Sequence, residues 1–191
     1  MEALKARILA EGQNLGHGIL KVDSILNHQI DPQLMKAMGE EFARRFANVK
    51  IDRILTAEVS GIGPALMTAL VLNVPVVYAR KQKPLTMSGP VYLEVAPSHT
   101  KGGEVLLLVS AEFLHEGENV LVMDDFLASG KTIEKLVRMV KSANANLVGI
   151  AAVIEKRFES GRERLSQYGV PIEVLASIAE MTEDGQIIFA D

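Results

Sequence analysis

The chain has 191 residues, 48% hydrophobic and 23% charged, a balance that suits one globular domain and excludes a disordered or fibrous polymer. A formal net charge of −4 argues against a general nucleic-acid binder, which needs a basic face to displace counterions. Cysteine is absent, which excludes disulfide scaffolding, thiolate catalysis and cysteine-based zinc sites.

The opening residues, MEALKARILAEGQNLG, are amphipathic and charged and lack the apolar core of a secretory signal. No apolar run approaches the ~20 residues that span a bilayer, so a cytoplasmic protein without membrane contact is expected. Further along, Asp31-Pro32 opens a helix with an acidic cap and a proline in its first turn. Leu34, Met38, Phe42 and Phe46 then fall on one stripe. A strand expected at 53–57 leads into Glu58-Val59-Ser60-Gly61-Ile62-Gly63-Pro64. Two glycines one residue apart before a helix make a backbone turn suited to an anion, although in isolation a plain strand-to-helix turn explains them better. The next strand, 74–79, ends in Arg80-Lys81-Gln82-Lys83. These cations suit a diphosphate, Arg bidentately and Lys as a point charge. A solvated basic face is the plainer alternative.

Residues 81–110 break the rhythm. Two β-rich pieces, 91–95 and 104–109, flank a Lys101-Gly102-Gly103 turn signal and read as a hairpin. It is expected as an arm inserted between core strands, serving as a mobile cover or as protection for a sheet edge. Strands at 120–123, 148–154 and 172–175 complete an alternating α/β pattern with a largely parallel sheet. Ile133, Leu136, Val137 and Val140 mark the helix after the first of these. No internal repeat is present.

The most informative stretch is VLVMDDFLASGKT, residues 120–132. An apolar strand delivers Asp124 and Asp125, and the small-residue loop Ala128-Ser129-Gly130-Lys131-Thr132 then opens a helix. Backbone N–H groups of such a loop and the helix N-terminus converge on an anion, most naturally a phosphate. Gly130 permits a tight turn, and Ser129 and Thr132 offer hydroxyl donors. Carboxylates repel phosphate and accept hydrogen bonds, so they suit sugar hydroxyls. Phosphate on the loop and a diol on the acids together describe a ribose 5-phosphate. Gly130-Lys131-Thr132 also matches the end of a nucleotide P-loop, but the glycine required five residues earlier is Asp125. A strand end with a helix cap at Ser129 explains the serine and glycine without explaining two adjacent acids.

Two acids between an apolar strand and a small-residue loop resemble the signature of the purine/pyrimidine phosphoribosyltransferase family. LKVDSILNHQIDP (residues 20–32) and Ile154-Glu155-Lys156 are similar to its bacterial xanthine-using subgroup, and the resemblance spans essentially the whole chain. It implies the type I phosphoribosyltransferase fold: a mostly parallel sheet flanked by helices, in a single domain over 1–191, with an N-terminal base-binding hood at 1–35 and the hairpin arm at 81–110. It implies transfer of the phosphoribosyl group from 5-phosphoribosyl 1-diphosphate to xanthine, forming xanthosine 5′-monophosphate and diphosphate in purine salvage. Mg²⁺ would be held mainly by the substrate diphosphate and water, with no direct protein ligand. A cytoplasmic homodimer follows by the same resemblance.

Carried over by motif, Asp124 and Asp125 meet the ribose hydroxyls as the catalytic pair. Ala128, Ser129, Gly130, Lys131 and Thr132 bind the 5-phosphate, and Ser60, Gly61, Arg80 and Lys81 approach the diphosphate. Many members of the wider family have a small residue where this chain has Lys131, so the loop backbone is expected to carry the phosphate. Leu20, Asn27 and Lys156 are expected against the purine. Leu20 supplies an apolar face, Asn27 donates and accepts, and Lys156 faces a carbonyl or an anionic base. By themselves Asn27 reads as a loop or cap residue and Lys156 as a surface lysine. His17, His28, His99 and His115 show no metal-binding spacing and are left out of the catalytic set.

Overall fold

The computed structural model describes residues 1–97 and 103–190. Helix α1 (Glu2–Glu11), the two-residue strands β1 (Gln13–Asn14) and β2 (Leu20–Lys21) and a π-helical turn, Asp23–Asn27, precede α2 (Pro32–Arg45). Asp31 caps α2 as its sequence suggests, accepting hydrogen bonds from the Gln33 and Leu34 amides at 3.0 Å each. Then come β3 (Arg53–Ala57), α3 (Ile62–Leu72), β4 (Val76–Ala79) and the hairpin strands β5 (Val91–Pro97) and β6 (Glu104–Ser110). The second half runs β7 (Asn119–Leu127), α4 (Lys131–Ser142), β8 (Asn146–Lys156), α5 (Gly161–Ser166), β9 (Ile172–Met181) and β10 (Ile187–Phe189).

The six-stranded sheet has the order β10-β9-β8-β7-β3-β4. Only β10 is antiparallel to its neighbour; the other pairings are parallel. Side chains alternate across the strands, which divides the core in two. Ile54, Leu121, Met123, Ala151 and Val153 face α1, α2 and α3, where Phe42 and Phe46 are wholly buried. Each such aromatic contributes about 2–3 kcal/mol by burial. Leu55, Val120, Val122 and Ala152 face the other side, with the α4 stripe of Ile133, Leu136, Val137 and Val140 and with Leu165 of α5. Burial on both faces explains why these strands are continuous apolar runs.

Several strand limits differ from the sequence expectation. β7 does not stop at Met123; its ladder with β8 continues through Asp124↔Ala152 to Leu127↔Glu155. The acids therefore sit within a strand, where pairing with one neighbour outlasts pairing with the other: β3 leaves β7 at Leu55↔Val122. Strands β8 and β9 also run longer than their most apolar portions, and the short strands β1, β2 and β10 had no periodic signal. Parallel β3 and β7 send their following helices to opposite faces, and such a switch point opens a crevice at the strand ends.

The hairpin forms its own two-stranded sheet, in register from Val91↔Ser110 to Pro97↔Glu104. It is joined to the β4 edge at Arg80, whose amide donates to the Leu108 carbonyl at 2.8 Å and whose carbonyl accepts from the Leu108 amide at 2.9 Å. Ala96, Leu107 and Val109 pack into the α4 core, and Lys135 of α4 meets Glu94 at 3.1 Å. Of the expected turn, Lys101 and Gly102 lie outside the described residues, as does His99.

Candidate active site

A cleft of about 1140 Å³ opens at the β3–β7 switch point. Its walls include Leu20, Asn27, Ser60, Gly61, Arg80 and Lys81, together with Asp124, Asp125, Ala128–Thr132 and Lys156. The site residues expected from the resemblance thus all face one space, although they come from five separate stretches of the chain; Gly63 and Lys83 do not line it.

On β7, Asp124 is buried and Asp125 half-buried. Burial first, and the neighbouring Asp125 carboxylate second, push the Asp124 carboxyl well above the usual carboxylate range. The strand then turns through the loop to α4. Gly130, at the N-cap, has φ of 74°, in the left-handed region that glycine tolerates. No side chain caps α4, so its first amides are left for another partner. Ser129 does not act as the cap; its hydroxyl is buried without a hydrogen-bond partner among the described residues. An orphaned buried donor beside an uncapped helix N-terminus suits a bound anion.

Opposite β7, Glu58–Ser60 and Gly61 lead from β3 into α3, and the Glu58–Val59 peptide is cis. Gly61 is needed here for close approach, because its φ of −68° is ordinary. A Cβ would collide with Thr56 Oγ1 and stand 3.1 Å from Asp124 Oδ1. Gly63 does not belong to the turn as its spacing suggested. It lies in the first turn of α3 against Met35, where a Cβ would come within 3.2 Å of the thioether methyl. The Glu58 carboxylate accepts from the Lys81 amide at 2.6 Å and lies 3.9 Å from Arg80 Nε, a buried nitrogen without a hydrogen-bond partner among the described residues.

The third wall comes from the N-terminal segment. Leu20 is buried in β2, and the π-helical turn presents Asn27. The Asn27 amide donates to Ser60 Oγ and to Asp125 Oδ2, each at 2.9 Å. Lys156, at the end of β8, donates to the Gly18 carbonyl at 2.6 Å, lies 3.5 Å from Glu159 and sits 5.4 Å from the Phe126 ring centre. Phe126, Glu58, Glu159 and Gly18 also line the cleft and were not selected from the sequence. Phe126 follows the acid pair directly, but it packs with Leu121 and Met123 rather than with Val120 and Val122, so simple strand alternation gave no signal for it. His28 does not line the cleft, while His17 does.

The sequence model of the phosphoribosyl transferase domain matches residues 21–179. The chain belongs to this family. It is 51% identical over 188 residues to a xanthine phosphoribosyltransferase of Deinococcus deserti, covering 98% of this chain and 97% of that protein. A xanthine phosphoribosyltransferase of Latilactobacillus sakei is 48% identical over 191 residues, covering 100% of this chain and 97% of that one. The crystal structure of adenine phosphoribosyltransferase from Rhodothermus marinus shares the fold, with a TM-score of 0.73 at 24% identity over 93% of this chain and 99% of that chain. The architecture is the type I phosphoribosyltransferase fold, and no helix among the described residues is long and apolar enough to cross a membrane.

Proposed function

We propose that this protein is a xanthine phosphoribosyltransferase, transferring the phosphoribosyl group of 5-phosphoribosyl 1-diphosphate to xanthine and releasing diphosphate, as a cytoplasmic enzyme of purine salvage. The observation that carries the reaction class is the Asp124–Asp125 pair running into an uncapped helix N-terminus with an unpartnered Ser129 hydroxyl. Relatives about half identical over nearly the whole chain support xanthine as the base.

In this reading Ala128–Thr132 hold the 5-phosphate on backbone N–H groups and hydroxyls, and Asp124 and Asp125 orient the ribose hydroxyls. Ser60, Gly61, Arg80 and Lys81 receive the diphosphate. Arg80 Nε is buried, 3.9 Å from the Glu58 carboxylate and without a hydrogen-bond acceptor among the described residues, and such a donor supports that role because it favours an arriving anion. Lys131 is exposed at the first position of α4 and adds positive charge near the phosphate. Leu20, Asn27 and Lys156 address the purine. Lys156 lines the cleft, and its ammonium has donors beyond the one given to the Gly18 carbonyl, which supports this role.

Mg²⁺ fits this donor set as a hard cation that takes oxygen ligands and retains water. Among the described residues no three His, Cys, Asp or Glu side chains gather to cage a metal, so diphosphate and water would provide most of its ligands. When bound, Mg²⁺ neutralises the charge of the leaving diphosphate. The protein places the purine nitrogen against C1 while backbone amides and cations stabilise the departing group, with no covalent nucleophile required. The hairpin and the Lys81–Pro90 approach to it shield the activated sugar from water.

Leu66 and Leu70, one turn apart on α3, and Tyr78 on the edge strand β4 are exposed and support a homodimer through this apolar face. The direct test measures diphosphate release with xanthine, guanine, hypoxanthine and adenine. Xanthine is expected to be used best, and a preference for adenine would overturn the substrate assignment.

A further inference from the structure

Against the phosphate loop and outside the cleft lining, the first turn of α5 makes contacts that the proposed reaction does not use. Gly161 is buried there. A Cβ on Gly161 would collide with the Ala128 carbonyl oxygen and lie 2.8 Å from the Gly130 nitrogen. Reciprocally, a Cβ on Gly130 would come 3.0 Å from the Gly161 carbonyl oxygen. Two glycines therefore let two backbones meet.

Arg164 completes the contact. Its Nε donates to the Ser129 carbonyl at 3.0 Å, and its Nη1 lies 3.5 Å from Glu134 in the first turn of α4. The Ser129 carbonyl and the Gly130 N–H belong to one planar trans peptide, in which they point in opposite directions. Holding the oxygen on Arg164 therefore turns the Gly130 N–H away from that guanidinium.

Between these residues, Arg162 grips Glu155 through Nε–Oε1 at 2.6 Å and Nη2–Oε2 at 3.1 Å, and also donates to the Ile172 carbonyl at 3.1 Å. Glu155 is 2% exposed and accepts a further hydrogen bond from Ser177 at 2.7 Å. Its chain neighbour is Lys156.

We propose that Gly161 and Arg164 are positioning residues that set the geometry of the phosphate loop, and that Arg162, through Glu155, ties this turn to the strand end carrying Lys156. One segment, residues 155–164, then spaces the phosphate end of the site from the base end. The proposal rests on the reading of Ala128–Thr132 as the 5-phosphate site.

The test measures calorimetric binding of ribose 5-phosphate, KM for each substrate and thermal midpoints in the wild type, Arg164→Ala, Arg164→Lys and Gly161→Ala. The Arg164 side chain is 41% exposed and packs into no core, so its variants keep the thermal midpoint. Loss of its charged donor weakens ribose 5-phosphate binding and raises KM for 5-phosphoribosyl 1-diphosphate by about tenfold, with KM for xanthine unchanged. Arg164→Lys recovers part of the loss, and Gly161→Ala loses more than Arg164→Ala. Arg162→Gln raises both Michaelis constants, and its failure to raise either overturns the link to Lys156. Wild-type binding in both Arg164→Ala and Gly161→Ala overturns the positioning role. If the wild-type protein itself does not bind ribose 5-phosphate, the underlying site reading falls instead, and the proposal falls with it.

Discussion

Asn27 and Asp125, separated by 98 positions in sequence, are joined by a 2.9 Å hydrogen bond from the Asn27 amide to Asp125 Oδ2. The same amide reaches Ser60 at 2.9 Å, so the N-terminal segment is bonded both to the loop after β3 and to strand β7 at the switch point. Asn27 is exposed, and a substrate in the cleft competes for these contacts.

Asn27→Ala is expected to raise KM for xanthine by about tenfold, the worth of one lost polar contact of roughly 1.4 kcal/mol, with a smaller change in KM for the activated sugar. Steady-state kinetics with each substrate varied in turn measures both. An unchanged xanthine constant would place the base elsewhere.

Asp125→Asn should lose most turnover, by about 100-fold or more, while the circular dichroism spectrum stays native. The acid is half-buried within β7, and an isosteric amide leaves the packing intact. Wild-type turnover in this variant would remove the acid pair from the mechanism.

Asp124→Asn separates stability from activity. An acid whose folded pKa is raised holds its proton more tightly in the folded protein than in the unfolded chain. Stability is therefore unpenalised at low pH and falls as pH rises from the ordinary value of 3.8 through the raised folded value. The variant lacks this decline, so its melting temperature should gain on the wild type across that window and then stay above it. Paired carboxylates such as Glu41, held at about 2 by Arg44 and Arg45, act in the opposite sense at lower pH but cancel in the comparison. Turnover by the variant should fall. Melting curves of both proteins from acid to neutral pH test the sign, and parallel curves would contradict the raised pKa.

Ser129→Ala and Gly130→Ala should both weaken phosphate binding but differ in their effect on stability. Removing an unpartnered buried hydroxyl leaves the unliganded protein as stable or slightly more stable, yet weakens ribose 5-phosphate binding. A Cβ at φ of 74° is strained by about 1–2 kcal/mol and presses on Gly161, so Gly130→Ala lowers both stability and binding. Urea denaturation together with calorimetry distinguishes the two. Equal stability losses would show that the Ser129 hydroxyl has a partner in solution.

Much of the architecture was legible because it is written in local chemistry. The Asp31-Pro32 cap, the α2 and α4 stripes and the doubly buried strands all depend on neighbours within a few turns or pleats. Strand ends were less legible because they depend on which neighbour continues: β7 carries its acids in a ladder with β8 after β3 has left. The two-residue strands β1 and β2 are too short for any period to show. Gly63 had the spacing of a turn glycine but packs α3 against Met35, a requirement visible only across two helices.

By itself the sequence determined the chemistry on offer: an acid pair, a small-residue loop opening a helix, a basic strand end and an amide in the N-terminal segment. These are properties of residue type and close spacing, and they survive in any arrangement of the chain. Only the tertiary structure decided that these groups share one cleft, that Asp124 is buried against Asp125 with its carboxyl driven upward, and that Asn27 bridges Ser60 and Asp125. It alone shows Gly161 and Arg164 in contact with the phosphate loop. Contacts of that kind join segments far apart in the chain, and crossing order and packing bring them together, which no local pattern encodes.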